Sequence, residues 1–146
     1  MKKAENKQSA YECLQEDVRS LKSPLIEVWE NKYADREYNV DLKTAEFTCV
    51  CPKTGLPDFA VINVSYAPDK VCLELKSFKM YLLFYRNVGI FHEHLANKIL
   101  DDIVKAASPR WVTLEIIMNT RGGIGTTVKV EHKRPSKKQE QSNGKK

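Results

Sequence analysis

The chain of 146 residues is 42% hydrophobic, enough apolar material for one compact core and not for two. Its formal charge of +5 is localised: residues 133–146 (KRPSKKQEQSNGKK) hold six basic residues against the single acid Glu140, so residues 1–132 are formally neutral, and no basic, aromatic-interleaved surface for direct nucleic-acid binding is expected. No apolar run approaches the about eighteen residues of a membrane span, and MKKAENKQSAYE lacks the apolar core of a signal peptide; a cytoplasmic protein with reduced cysteines and no membrane partner is expected.

Residues 1–24 are polar, weakly periodic and closed by Ser23-Pro24, and are expected as an N-terminal arm. One domain then spans 25–132, with 133–146 as a basic, solvated tail. Tyr38, Val40 and Leu42 alternate with polar neighbours, and Phe47 and Val50 follow a break at Thr44-Ala45, which predicts a first strand within Arg36–Val50. FAVINVSY, Phe59–Tyr66, alternates again and is rich in β-branched residues, a second strand; Val71–Leu75 is a short apolar segment after the turn at Ala67-Pro68-Asp69. The dense apolar run Ser77–Asn87 predicts a buried helix. Beyond Phe91, the residues Leu95, Ile99, Ile103 and Ala107 share one face of a second helix that Ser108-Pro109 stops. Trp111–Met118 and Ile124–Val130 predict two strands of a hairpin turned by Gly122-Gly123. The order strand-strand-helix-helix-strand-strand implies an α+β fold, a four-stranded antiparallel sheet with helices on one face.

Three stretches carry chemistry. In EFTCVCPKTGLPDF, Pro52 cannot join a ladder, so Cys51 falls at a strand end, beside a polar turn and with Asp58 seven residues on. A thiol at a loop entrance near a lysine is placed to react. Cys13 and Cys72 are read as small core residues, and Cys49 as a tolerated core thiol or as a redox partner that two-residue spacing on one strand disfavours. The second stretch, FHE, puts His92 and Glu93 in the first turn of a helix, where free backbone N–H groups favour a carboxylate; Glu93 is then either a dipole partner or a ligand contact. In the third, ELKSFKMY, Lys76 and Lys79 share a helix face, a solvated face or a grip for phosphate.

Together CPKTGLPDF, ELKSFK, FYRN, FHE and RGG, in this order from about Leu25 to Val130, resemble the NADPH-dependent 7-cyano-7-deazaguanine reductases, nitrile reductases of queuosine biosynthesis, in their short single-module form. Thr120 stands where that family usually has proline, and Met80 where it has leucine or tyrosine. The resemblance implies the tunnelling fold shared with GTP cyclohydrolase I, in which subunits join sheets into a barrel, with active sites between neighbours and a homo-oligomeric ring, a decamer of two pentamers. It implies an oxidoreductase of tRNA modification: Cys51 adds to the nitrile of 7-cyano-7-deazaguanine to give a thioimide, Asp58 donates a proton, and two NADPH-derived hydrides with help from His92 complete the aminomethyl product. It places Leu73, Glu74, Leu75, His92 and Glu93 around the base, and Lys76, Ser77, Lys79, Arg121 and Gly122 at NADPH, with no metal. Rival readings are an amidine-forming relative acting on the cyano base in tRNA, which needs no NADPH; a zinc cyclohydrolase of the same fold using Cys49, Cys51 and His92; and a catalytically idle scaffold.

Overall fold

The structure, a computed structural model, describes residues 21–135; most of the expected arm with Cys13, and the tail from 136, lie outside the described residues. The elements run β1 (Val28–Glu30), β2 (Val40–Val50), β3 (Pro57–Ala67), β4 (Val71–Leu73), α1 (Leu75–Phe84), a 3₁₀ turn (Tyr85–Asn87), α2 (His92–Ala107), β5 (Trp111–Arg121) and β6 (Ile124–Lys133). Four strands form an antiparallel sheet in the order β2-β3-β5-β6, so β2 and β6 are its edges. A smaller antiparallel pair joins β1 to β4. The α+β class and the four-stranded sheet expected from the sequence are both present.

The sheet buries one face because its strands alternate. Along β3, Ala60, Ile62, Val64 and Tyr66 are buried while Val61, Asn63 and Ser65 are more open, and β5 repeats the pattern with Val112, Leu114, Ile116 and Met118. The α2 residues Leu95, Ile99, Ile103 and Ala107 cover that face, each side chain of this size contributing about 1.5–3 kcal/mol on burial for the isoleucines and leucines. Between the helices lies a polar knot: the Tyr81 hydroxyl donates to Asp102 Oδ2 at 2.6 Å and meets the Tyr85 hydroxyl at 3.0 Å, and Lys98 Nζ donates to the same Oδ2 at 2.5 Å. Every buried side-chain polar atom among the described residues has a partner.

Three boundaries differ from the sequence reading. β1 was not expected: its three residues are all exposed and show no alternation, and the antiparallel pairing of Trp29 with Cys72 makes it a strand. α1 starts at Leu75 rather than Ser77, because the Glu74 side chain accepts from the N–H groups of Lys76 (2.9 Å) and Ser77 (2.7 Å) as an N-cap. The sheet also takes in residues that the charge pattern assigns to the tail: β6 runs to Lys133, and Arg134 Nη1 donates to Asp69 Oδ2 at 2.8 Å. The break at Thr44-Ala45 is a β-bulge, where the β2–β3 register shifts. In the β5–β6 hairpin Gly122 and Gly123 have φ of 57° and 78°, the left-handed pair that a two-residue turn of this twist requires. Among the described residues no helix is long and apolar enough to cross a membrane.

Candidate active site

β2 ends at Val50, and Cys51 opens the loop to β3. The loop is closed on itself by Cys51 N–H to Leu56 C=O at 2.9 Å and Gly55 N–H to Cys51 C=O at 2.8 Å. This fold-back aims the Thr54 hydroxyl and the N–H groups of Lys53 and Thr54 at the half-buried sulfur. Partial burial pushes the Cys51 thiol up, as does the Asp58 charge, but those three donors outweigh them and the thiol ends below its ordinary value. Cys49 is the opposite case. It is fully buried, and desolvation, with the charges of Asp58 and Cys51 adding to it, pushes its thiol up to about 12. Two thiols two residues apart are thus shifted in opposite directions.

Asp58 sits on β3 directly opposite Cys49, only 2% exposed, and both of its oxygens are engaged. His92 Nε2 lies 3.2 Å from Oδ2, and Arg121 Nη1 donates to Oδ1. His92 reaches the carboxyl because the segment before α2 is stitched to the end of β2: Val50 N–H donates to Val88 C=O at 3.0 Å and Ile90 N–H to Val50 C=O at 3.1 Å. That pairing delivers the first turn of α2 to the cysteine loop. Phe91, the N-cap of α2, makes no side-chain capping bond, and Glu93 lies exposed in the first turn. Arg121 arrives from the far side, as the last residue of β5.

The structure therefore gathers Cys51, Asp58, His92 and Arg121, with Glu93 beside them. The other residues named from the sequence lie elsewhere. Leu73 is buried in β4, its N–H donating to the Tyr66 hydroxyl at 3.1 Å and its C=O accepting from Trp29 Nε1 at 3.2 Å. The Glu74 carboxylate is held below its ordinary range by the N–H groups of Ser77 and Lys76 that it caps. Ser77 Oγ donates to Glu74 C=O (2.8 Å) and accepts from Glu27 N–H (2.9 Å). Leu75, Lys76 and Lys79 are exposed on α1. Leu75 and Lys79 line an open groove of about 290 Å³ between α1 and β2, with Leu42, Phe47 and Phe78 on its walls; Cys51 is not part of it. Tyr66, beside Leu73, pairs with Val40 at one end of β2, while Cys51 follows Val50 at the other. Along β3 the eight-residue step from Tyr66 to Asp58 spans roughly 25 Å. Gly122 is exposed, with nothing within 4 Å of where a Cβ would stand.

Sequence reasoning missed two contributions. In the sequence Thr54 is only part of the polar turn after Cys51, and no local signal gives the curl that brings its hydroxyl to the sulfur. Arg121 was read at the cofactor, and nothing local to it points to Asp58, 63 residues away. Among the described residues, no three His, Cys, Asp or Glu side chains are grouped as metal ligands, so the zinc set Cys49, Cys51 and His92 is not assembled.

The chain is similar to known proteins along most of its length. A family model described as QueF-like protein matches residues 57–137. The NADPH-dependent 7-cyano-7-deazaguanine reductase of Chlorobium luteolum is 54% identical over 112 residues, spanning 77% of this chain and 97% of the relative. That of Syntrophus aciditrophicus is 54% identical over 110 residues, 75% of this chain and 79% of the relative. A crystal structure of the archaeosine synthase QueF-Like in the apo form superposes with a TM-score of 0.62 at 28% identity, over 67% of this chain and 96% of that one. With more than half of its length inside the family's match and relatives more than half identical along most of theirs, the chain belongs to the QueF-like family that includes the NADPH-dependent 7-cyano-7-deazaguanine reductases.

Proposed function

We infer that this chain reduces the nitrile of 7-cyano-7-deazaguanine to the aminomethyl group at the expense of NADPH, as the relatives' name states for them. The observation that carries the mechanism is the Cys51 loop: a half-buried sulfur facing three donors, beside a buried carboxyl. The Cys51 thiol proton passes to the Asp58 carboxylate, the thiolate adds to the nitrile carbon, and the nitrogen takes that proton from Asp58, giving a thioimide on Cys51. His92, 3.2 Å from Asp58, is placed to return a proton to that carboxyl for the second half of the reduction. Glu93, exposed at the start of α2, accepts hydrogen bonds from the amino and ring N–H groups of the base, which a carboxylate complements.

The residues fit a phosphate-bearing cofactor. Lys76 and Lys79 are exposed on α1 three residues apart, Lys79 borders the groove along β2, and the open surroundings of Gly122 leave room for close approach to backbone. NADPH, when bound, supplies the hydrides. Lys76 and Lys79 would hold its phosphates, with Ser77 beside them on α1.

The complete pocket is shared between copies of the chain in a homo-oligomeric, barrel-forming ring. The support is the separation within one protomer: Leu73 lies by Tyr66, at the other end of the β2–β3 ladder from Cys51. Two long edge strands, β2 and β6, offer the pairing edges. The test of the activity is NADPH oxidation at about 340 nm on adding the nitrile base, with Cys51→Ala alongside. Two NADPH consumed per substrate in the parent protein and none in the variant are the expected results. Covalent capture of the nitrile without NADPH consumption identifies an amidine-forming enzyme instead.

A further inference from the structure

Arg121 does something in this structure that cofactor binding does not explain. Asp58 is 2% exposed, and the groups facing it are few: Arg121 from β5 on Oδ1, His92 from α2 on Oδ2, Cys49 across the ladder on β2, and Cys51 in the following loop. Arg121 carries the fixed positive charge among them. The step assigned to Asp58 moves a negative charge onto it. As Cys51 Sγ forms its bond to the nitrile carbon, one π pair of the C≡N bond moves to nitrogen, and nitrogen takes the Asp58 proton. The charge that began on sulfur ends on the carboxyl, and a buried carboxylate without a cation is costly.

We propose that Arg121 is the positioning residue of the proton donor: its guanidinium fixes Asp58 Oδ1 and balances the charge left there when the thioimide forms. Backbone pairing sets the placement at both ends. Asp58 is held in the β2–β3 ladder, and Arg121 pairs with Ile124 across the two-glycine turn, so the ion pair bridges β3 and the hairpin tip. Arginine has five N–H donors, so the one spent on Asp58 leaves others for a ligand. The inference rests on Asp58 being the acid of thioimide formation.

Thioimide formation needs no NADPH, which separates this role from any part Arg121 plays in cofactor binding. The experiment is the rate of covalent capture of 7-cyano-7-deazaguanine, followed by intact-protein mass in the absence of NADPH, for the parent, Arg121→Gln, Arg121→Lys, Asp58→Asn and the Arg121→Gln/Asp58→Asn double variant, each first checked for an unchanged melting curve. Arg121→Gln is expected to slow capture by about 10²-fold, Arg121→Lys to recover most of that loss, and Arg121→Gln to add nothing once Asp58 is asparagine. Full-rate capture by Arg121→Gln, or a loss that persists undiminished in the asparagine background, overturns the inference. No capture by the parent protein overturns the nitrile-addition reading itself, a result distinct from either.

Discussion

The lowered pKa of Cys51 is set by where three donors point. Burial alone drives a thiol toward neutrality, as Cys49 shows; Cys51 differs because its loop folds back and aims the Thr54 hydroxyl and two N–H groups at the sulfur. Removing the hydroxyl leaves the two N–H donors, so Thr54→Val raises the thiol's pKa only in part. The thiolate fraction near neutral pH falls, and alkylation of Cys51 by iodoacetamide, read on its peptide by mass spectrometry, is expected to slow about two- to tenfold at pH 7. The rates converge at pH above the raised value, and Thr54→Ser, which keeps a hydroxyl, stays close to the parent. An unchanged profile for Thr54→Val removes the hydroxyl from the account. The thiol was legible in the sequence because Pro52 had to end the strand there. Its activation was not, since that depends on how Lys53–Gly55 curl, and neither was the clamp on Asp58, which needs two strands and a helix to meet.

At the scale of elements, local signals were enough wherever a segment's own pattern decides its conformation. The alternation of β3 and β5, the four-residue spacing on α2 and the paired glycines of the hairpin all report burial or backbone geometry fixed within a few residues. β1 escaped because it is three exposed residues whose only reason to be extended is the partner strand β4. The end of α2 carries a strain that the sequence does not advertise. Ser108 caps it in the left-handed region, φ 41° and ψ 55°, where a Cβ crowds the backbone and glycine does not. Ser108→Gly relieves that crowding. It gives up a long contact from Ser108 Oγ to Val104 C=O at 3.4 Å and leaves untouched the Ser108 C=O that accepts from Arg134. The balance is a stabilisation of about 0.5–1 kcal/mol, seen as a rise of a few degrees in the thermal midpoint, with activity unchanged. A lowered midpoint means that the serine contact outweighs the backbone crowding.

For the molecule as a whole, the proposed pocket draws on residues that one protomer holds apart. Cys51, Asp58, His92 and Arg121 stand at the Pro57 end of the sheet, and Leu73, just before α1, stands by Tyr66 at the other. No loop among the described residues closes a gap of roughly 25 Å, so the proposed pocket needs the reacting end of one copy against the α1 entrance of another. This is the part least legible from one chain's residues, since composition and periodicity describe a protomer and not its neighbour. It makes a prediction that activity alone cannot mimic. Cys51→Ala disables the reacting end and leaves the α1 end intact. Leu75→Arg, at a side chain 57% exposed and so tolerant of a charge in the fold, blocks the α1 end and leaves the thiol intact. Each variant by itself is inactive. After the two are unfolded, mixed in equal amounts and refolded together, about a quarter of the interfaces in a randomly assembled ring pair an intact Cys51 with an intact Leu75, and about a quarter of the parent NADPH consumption returns. If each pocket were built within a single protomer, every pocket in the mixture would carry one defect, and no activity would return at any mixing ratio.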